Sequence, residues 1–472
     1  MTDLGHEVFT DIGIRAKRDW VRAIHDRIHW CDALVVLLSE RSMRSEMVYT
    51  EVRLAALELS QAGSPTIIPV RLGYFGPLEY ELDLYLGGLP YIAWRSEADS
   101  GRVLTEIEDY AAAPPQGHGG PATEPEPEPD SGWPRAGRDP RAAMLPNRPI
   151  RNDDPYYIER EQDKVVLQLA ELPEQTLVIK GPHQTGKSSL LLQYLSQAQS
   201  VGKQIAFIDF KPFSADDFDG YGRFLTSFAR VLVRRLRLNL EVPEIAGHAQ
   251  MVEFMERQVL PALKGPTVFA FDEVDRVLGR DYQHDFFSML RLWHERVSSS
   301  LHPDWADLDL ALVISTEPYL LIDAADRSPF TVGWRIETTP FDEQACRALD
   351  RRYPGLLTAE QQAQLRHLLG GHPYLTRLAY YRLTAPDPIR FDQLLERAAD
   401  HIGPFGDHLR ALLVRLCERP ELLAAFRQVL SRGVLDDRDL YYRLYGAGLV
   451  REEGERTDPA NLLYARYFGD AL

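Results

Sequence analysis

The chain has 472 residues, with 53 Lys and Arg against 70 Asp and Glu, a formal charge of −17. That balance argues against a general nucleic-acid binder, which needs a concentrated basic face. With 44% hydrophobic residues the chain can build real cores, and its length fits roughly two or three domains.

Cys31, Cys346 and Cys417 lie far apart. This excludes a disulfide framework and a CxxC metal knuckle and fits a reducing cytosol. No apolar run approaches the roughly 20 residues that span a bilayer. The first residues carry neither a basic n-region nor an apolar h-region. The expectation is a cytoplasmic protein with no membrane partner.

In chain order, EVFT (7–10), ALVVLL (33–38), TIIPVRL (66–72) and YIAW (91–94) read as strands. Between them, WVRAIHDRIHW and MVYTEVRLAALELSQA have apolar residues at helical spacing. This alternation predicts a parallel sheet covered on both faces over residues 1–110. Residues 111–152 are proline-rich and contain EPEPEPD. Such a stretch cannot bury enough apolar surface to offset its ordering entropy, so a disordered, extended linker is expected.

Residues 153–342 predict a second α/β core with strands TLVIK (176–180), QIAFIDF (204–210), TVFAFD (267–272), LALVIST (310–316) and RIETTPF (335–341). Residues 343–403 turn helical. Thr358 and Gln361 form a capping box opening a helix through Leu369. Residues 404–472 predict a winged-helix-like block: helices, then a helix, a short β-wing and a closing segment.

The strongest motif is Gly181 to Ser188, GPHQTGKS, which fits G-x-x-x-x-G-K-[ST] between an apolar strand and an amphipathic helix. Gly181 and Gly186 let backbone amides wrap phosphates, with the helix N-terminus behind them. Lys187 reaches the β- and γ-phosphates, Ser188 offers a hydroxyl to Mg²⁺, and Ser189 continues the ATP-binding turn. Asp272 ends the strand TVFAFD and would hold Mg²⁺ through water. Glu273 would orient or deprotonate the attacking water. Ser315 and Thr316 end the next strand as candidate γ-phosphate sensors, with strand-end capping an equal alternative.

Other features read as ordinary. Gly370 to Pro373 is a glycine C-cap and a helix-stopping proline. Arg160 and Glu161 are surface charges. Arg230, Arg234, Arg235 and Arg237 share a helix with Phe224, Phe228, Val231 and Leu232 at core spacing, the pattern of a solvated face.

Residues 155–472 resemble the AAA-like branch of the STAND NTPases. The resemblance rests on YYIERE, VIKGPHQTGKSSLL, FAFDEVD, SPFTVG (328–333), GGHPYLTRLA and LYARYF. It implies a P-loop core, a helical lid whose Gly371–His372–Pro373 packs on ATP or ADP through Pro373, and a winged helix. It also implies a switch that exchanges nucleotide and self-associates. There is no C-terminal repeat array, so an unidentified trigger protein or ligand is expected.

Residues 1–110 resemble a bacterial TIR domain through GHEVFTDIGIRAKRDWVRAI, CDALVVLLSERSMRSEMVYTEVRLAAL and PTIIPVRL. The resemblance implies a flavodoxin-like sheet whose first strand is missing here, its place lying between EVFT and ALVVLL. It further implies NAD⁺ as substrate, with Glu51 of SEMVYTE as the catalytic carboxylate and Ser45 at the head of that stretch. Met47 and Lys17 stand where the family has tryptophan and glycine. A carboxylate beside the ribose stabilises the oxocarbenium-like charge left by departing nicotinamide. Trp20 either stacks on NAD⁺ or is a half-buried helix aromatic. The expected function is ATP-switched assembly that activates TIR-domain NAD⁺ hydrolysis in defence signalling. The alternatives are a non-enzymatic TIR interaction module on a nucleotide-controlled scaffold, and a P-loop ATPase carrying a vestigial TIR domain.

Overall fold

The computed structural model describes residues 6–9, 27–40, 42–62, 64–76, 78, 82, 85–87, 89–112, 149–150, 154–211, 213, 216–277, 279–315, 332–385 and 387–472. They fall into two compact units. One comprises residues 1–147, 381–430 and 463–472, the other residues 148–380 and 431–462.

The first unit holds a parallel three-stranded sheet in the order β1 (Ala33–Leu38), β2 (Thr66–Leu72), β3 (Ile92–Trp94). Ala33 pairs with Thr66 and Val70 with Ile92. Helices α1 (Glu46–Ala62) and α2 (Ser100–Ala112) accompany it. Ile68, Val70 and Ile92 pack with Val103 and Ile107 of α2. Of the expected strand EVFT, Thr10 lies outside the described residues; Glu7 to Phe9 carry no strand pairing among the described residues, and Val8 and Phe9 are exposed. Alternation alone does not make a strand; a neighbouring edge must accept its hydrogen bonds. Among the described residues β1 pairs only with β2, and Leu37 on it is 52% exposed.

In the second unit five parallel strands run in the order β5-β6-β7-β4-β8. They are β4 (Thr176–Lys180), β5 (Gln204–Asp209), β6 (Thr267–Asp272), β7 (Leu308–Ile314) and β8 (Trp334–Glu337). Every residue of β6 and β7 is buried, as expected of strands covered on both faces. Alternation on β6 feeds two cores. Phe269 and Phe271 join Phe210, Phe228 and Trp293, whereas Val268 and Ala270 join Leu190 and Tyr194.

Three strands end earlier than expected, at Asp209, Ile314 and Glu337; β5 and β8 are shorter, whereas β7 keeps seven residues and starts two residues sooner. Ser315 therefore lies just past β7, and Thr316 lies outside the described residues. Among the described residues the α-helices of this core are α3 (Glu161–Glu171), α4 (Lys187–Ser200), α5 (Tyr221–Arg235), α6 (His248–Phe254) and α7 (Gln283–Val297). On α5, Phe224, Phe228 and Leu232 are buried and Arg230, Arg234 and Arg235 exposed, while Val231 is only partly covered.

The helical region begins with α8 (Glu343–Asp350), α9 (Ala359–Leu369) and α10 (Pro373–Thr384). Thr358 caps α9: its Oγ1 accepts the Gln361 amide at 3.2 Å, and Gln361 Oε1 accepts the Thr358 amide at 2.9 Å. Gly370 ends α9 at φ +59°. Pro373 opens α10 rather than merely stopping α9; its missing N–H costs nothing in a first turn. Then follow α11 (Phe391–Glu396), α12 (Gly406–Cys417), α13 (Pro420–Arg432), α14 (Arg438–Gly446), the antiparallel hairpin β9 (Val450–Glu453) and β10 (Arg456–Pro459), and α15 (Leu462–Ala471). The hairpin is the expected wing. No helix among the described residues is long and apolar enough to cross a membrane.

Candidate functional site at the carboxyl ends of the strands

The loop between β4 and α4 is bent by three left-handed residues, Gly181 (φ +149°), Gln184 (φ +61°) and Gly186 (φ +94°). Gly181 has a second reason to be glycine: a Cβ there would lie 2.3 Å from Thr338 Oγ1. Thr185 Oγ1 pairs with Thr338 Oγ1 at 2.6 Å, tying the loop to the chain leaving β8. Lys187 is buried, and its Nζ donates to Pro182 O at 2.8 Å. Burial pulls its pKa down, and the carboxylates of Asp275, Glu273 and Asp272 act against that. The Ser188 hydroxyl faces the Asp272 carboxylate and acts to lower its pKa. Ser189 is turned elsewhere, its Oγ accepting the Ile150 amide at 2.9 Å.

Asp272 ends β6, in register with Asp209 of β5. Burial, then the Glu273 charge, pushes its pKa up to about 6. A buried carboxylate beside a hydroxyl and short of counter-charge suits a hard divalent cation. Ser188 and Asp272 would therefore hold Mg²⁺, which supplies charge neutralisation on phosphate oxygens. Glu273 has φ +57°, a sparsely populated conformation for a non-glycine residue that is retained where surroundings impose it. Its amide donates to Asp272 Oδ1 at 2.9 Å, and its carboxylate meets Lys211 Nζ at 3.1 Å. Burial would raise its pKa, but Lys211, then His183 and Lys187, hold it below the ordinary value.

Three residues of this cluster escape a reading by sequence. Asp275 is buried, accepts the Ser315 amide and faces Lys187. The DEVD spacing was its only signal. Lys211 follows β5 and reaches Glu273 only because β5 and β6 are neighbours. Arg160, expected at the surface, is 9% exposed. Its Nη1 donates to Thr185 O at 2.9 Å and to Thr339 O at 3.2 Å. Asp163 holds Arg160 by accepting its amide at 3.0 Å and also accepts Tyr157 OH at 2.7 Å. Here the local signal was the YYIERE stretch. Asp163 and Tyr157 also line a cleft of about 430 Å³ with Gln193, Ala348 and Arg352.

Asp275→Asn should stabilise the ligand-free protein at pH 8. Burial, then the Glu273 charge, raises the Asp275 pKa to about 6. A raised carboxylate pKa favours the folded state below the unfolded value and withdraws that stability as pH rises through the folded one. A shift of this size is worth on the order of 3 kcal/mol. The melting-temperature gain of the variant should shrink as pH falls from 8 toward 4.

In the first unit Glu51 sits half-buried in the second turn of α1. Ser45 precedes that helix, its Oγ accepting the Val48 amide at 3.3 Å. Trp20 and Lys17 lie outside the described residues. Met47 is buried.

The AAA-like domain family matches residues 145–470, and the TIR domain family matches residues 1–105. The chain belongs to the AAA-like family and carries a TIR domain at its N-terminus. Among solved structures it is similar to the Walker-type ATPase PABY2304 of Pyrococcus abyssi, with 16% identity and a TM-score of 0.49 over 68% of this chain and 97% of that one. It is also similar to the ORC2 protein of Aeropyrum pernix, with 12% identity and a TM-score of 0.43 over 71% and 96%. A third is ORC of Drosophila bound to DNA, with 14% identity and a TM-score of 0.38 over 73% and 96%. Comparison with curated proteins returns no match.

Proposed function

We propose that this chain is a nucleotide-switched signalling protein of STAND type in which ATP binding promotes assembly and assembled TIR domains hydrolyse NAD⁺. One hydrogen bond carries the switch reading. The amide of His183, inside the phosphate-binding loop, donates to Gly446 O at the end of α14 at 2.9 Å. Tyr445 OH of the same helix donates to Glu337 Oε1 at 2.5 Å, and Lys180 Nζ meets Glu337 Oε2 at 3.3 Å. Backbone amides of such a loop are what wrap phosphates. A loop amide committed to α14 links the state of the nucleotide site to the position of the winged-helix block.

In this reading the loop and Lys187 bind ATP or ADP, Ser188 and Asp272 hold Mg²⁺, and Glu273 activates water. Ser315 senses the γ-phosphate through Asp275, which its amide contacts. Pro373 lies under the nucleotide in the lid. The proposed domains are 1–110, 153–342, 343–403 and 404–472 around a linker at 111–152, and the dispersed cysteines support a cytoplasmic location. Self-association fits the AAA-like family. The acidic charge argues against nucleic acid as the main partner, although the Drosophila ORC structure contains DNA.

Glu51 would stabilise the positive ribose as nicotinamide leaves. NAD⁺ turnover by full-length protein with ATP tests this. Glu51→Gln should abolish turnover with assembly intact, and Lys187→Ala should abolish nucleotide-dependent assembly. Turnover at the wild-type rate in Glu51→Gln would overturn the assignment. The scaffold alternative draws on the edge of β1, which has no second strand beside it among the described residues. In that case partner capture depends on the TIR domain while NAD⁺ is untouched.

A further inference from the structure

Helix α1 of the TIR domain and helix α12 pack together within one compact unit. Helix α12 is buried on every face: of its 12 residues, Gly406, His408 to Val414 and Leu416 are all covered. A helix so enclosed needs neighbours on all sides. Helix α15 supplies one, with Tyr464 OH 2.7 Å from His408 Nε2. Helix α1 supplies another. Just past the end of α12, Glu418 Oε1 accepts from Arg53 Nη2 at 2.6 Å, across 365 residues of sequence. Both side chains are about three-quarters covered, with 25% and 27% exposed. Thr50, one turn before Arg53, is 1% exposed.

We propose that the α1–α12 contact is a docking surface that holds the TIR domain on the chain's own C-terminal helical block in the resting state, with Arg53–Glu418 as its fastener. The word "resting" rests on the switch reading above; the dock itself does not. Arg53 lies two positions from Glu51, about 200° around the helix, so the dock grips α1 on the face away from Glu51. It restrains where the TIR domain lies. Restraint of this kind limits encounters with the TIR domain of a second copy. A partly exposed ion pair is individually weak, which suits a contact that must open.

Amide hydrogen exchange of the full-length, nucleotide-free protein tests this. Arg53→Glu and Glu418→Arg should each raise exchange about fivefold to tenfold in both 46–62 and 406–417. Segments 176–180 and 308–314 should not change. The double reversal Arg53→Glu with Glu418→Arg should restore protection in both helices, which a merely structural lesion would not do. Exchange rising only in the helix that carries the substitution, or additive loss in the double variant, would overturn the dock. NAD⁺ turnover of the same proteins separates the two ideas. If the single reversals loosen both helices and raise nucleotide-free turnover, dock and switch both stand. If they loosen both helices while turnover stays unchanged, the dock stands and the switch reading falls.

Discussion

Glu273→Gln is expected to lower nucleotide turnover by at least about 100-fold while leaving nucleotide affinity within about threefold. The left-handed backbone at φ +57° and the amide bond to Asp272 are set by the chain and tolerate an isosteric amide. What is lost is the carboxylate that orients water and accepts its proton. Lys211 makes a second arm of the test. Its ammonium at 3.1 Å holds Glu273 a weaker base than burial alone would leave it. Lys211→Met should therefore raise turnover several-fold. Glu273 is held below the ordinary carboxylate value, so at low Mg²⁺ the acid limb of the rate profile should follow Asp272, whose metal-free pKa is pushed up to about 6. Below that value Asp272 binds a proton in place of Mg²⁺. A steady-state assay with saturating ATP and graded Mg²⁺ reads all three effects. Undiminished turnover in Glu273→Gln would shift the role of base to Asp275, another carboxylate facing Lys187.

The parts of the site that were legible are those whose geometry is local. A strand, a glycine-bounded loop and a helix follow one another within residues 176–200, so spacing places Lys187 and Ser188 without knowledge of the rest. Asp272 was legible for a similar reason: an apolar run that ends in a carboxylate marks the carboxyl end of a buried strand. Lys211 and Arg160 were not. Each acts on a residue far off in sequence, through strand order in one case and through a buried side chain crossing to Thr185 in the other. Charged residues in a hydrophilic stretch look solvated until a fold covers them. EVFT failed in the opposite sense: its pattern is that of a strand, yet pairing is a property of two segments, and Val8 and Phe9 have none among the described residues.

Gly371→Ala should be the most damaging single-methyl change in the lid. Gly371 has φ +70°, and a Cβ on it would stand 2.0 Å from Phe341 O. The Phe341 amide meanwhile donates to Gly371 O at 2.8 Å. The two backbones are thus pressed together where the chain passes from β8 into the lid, and α10 begins two residues later at Pro373. Adding a methyl must break that bond and displace the start of α10, beyond the usual cost of about 1 kcal/mol for a left-handed alanine. Loss of roughly 3 kcal/mol of stability is expected from clash and broken hydrogen bond together. Gly370 provides the control. Its φ is +59°, but the nearest atoms to an added Cβ are at 3.2 Å, so Gly370→Asn should cost far less. Thermal unfolding with and without nucleotide distinguishes the two sites. If Pro373 underlies the nucleotide as proposed, Gly371→Ala loses most of the ATP-dependent rise in melting temperature, whereas Gly370→Asn keeps it. Equal ATP-dependent rises in both variants would remove Pro373 from the nucleotide site and leave Gly371 a purely structural joint.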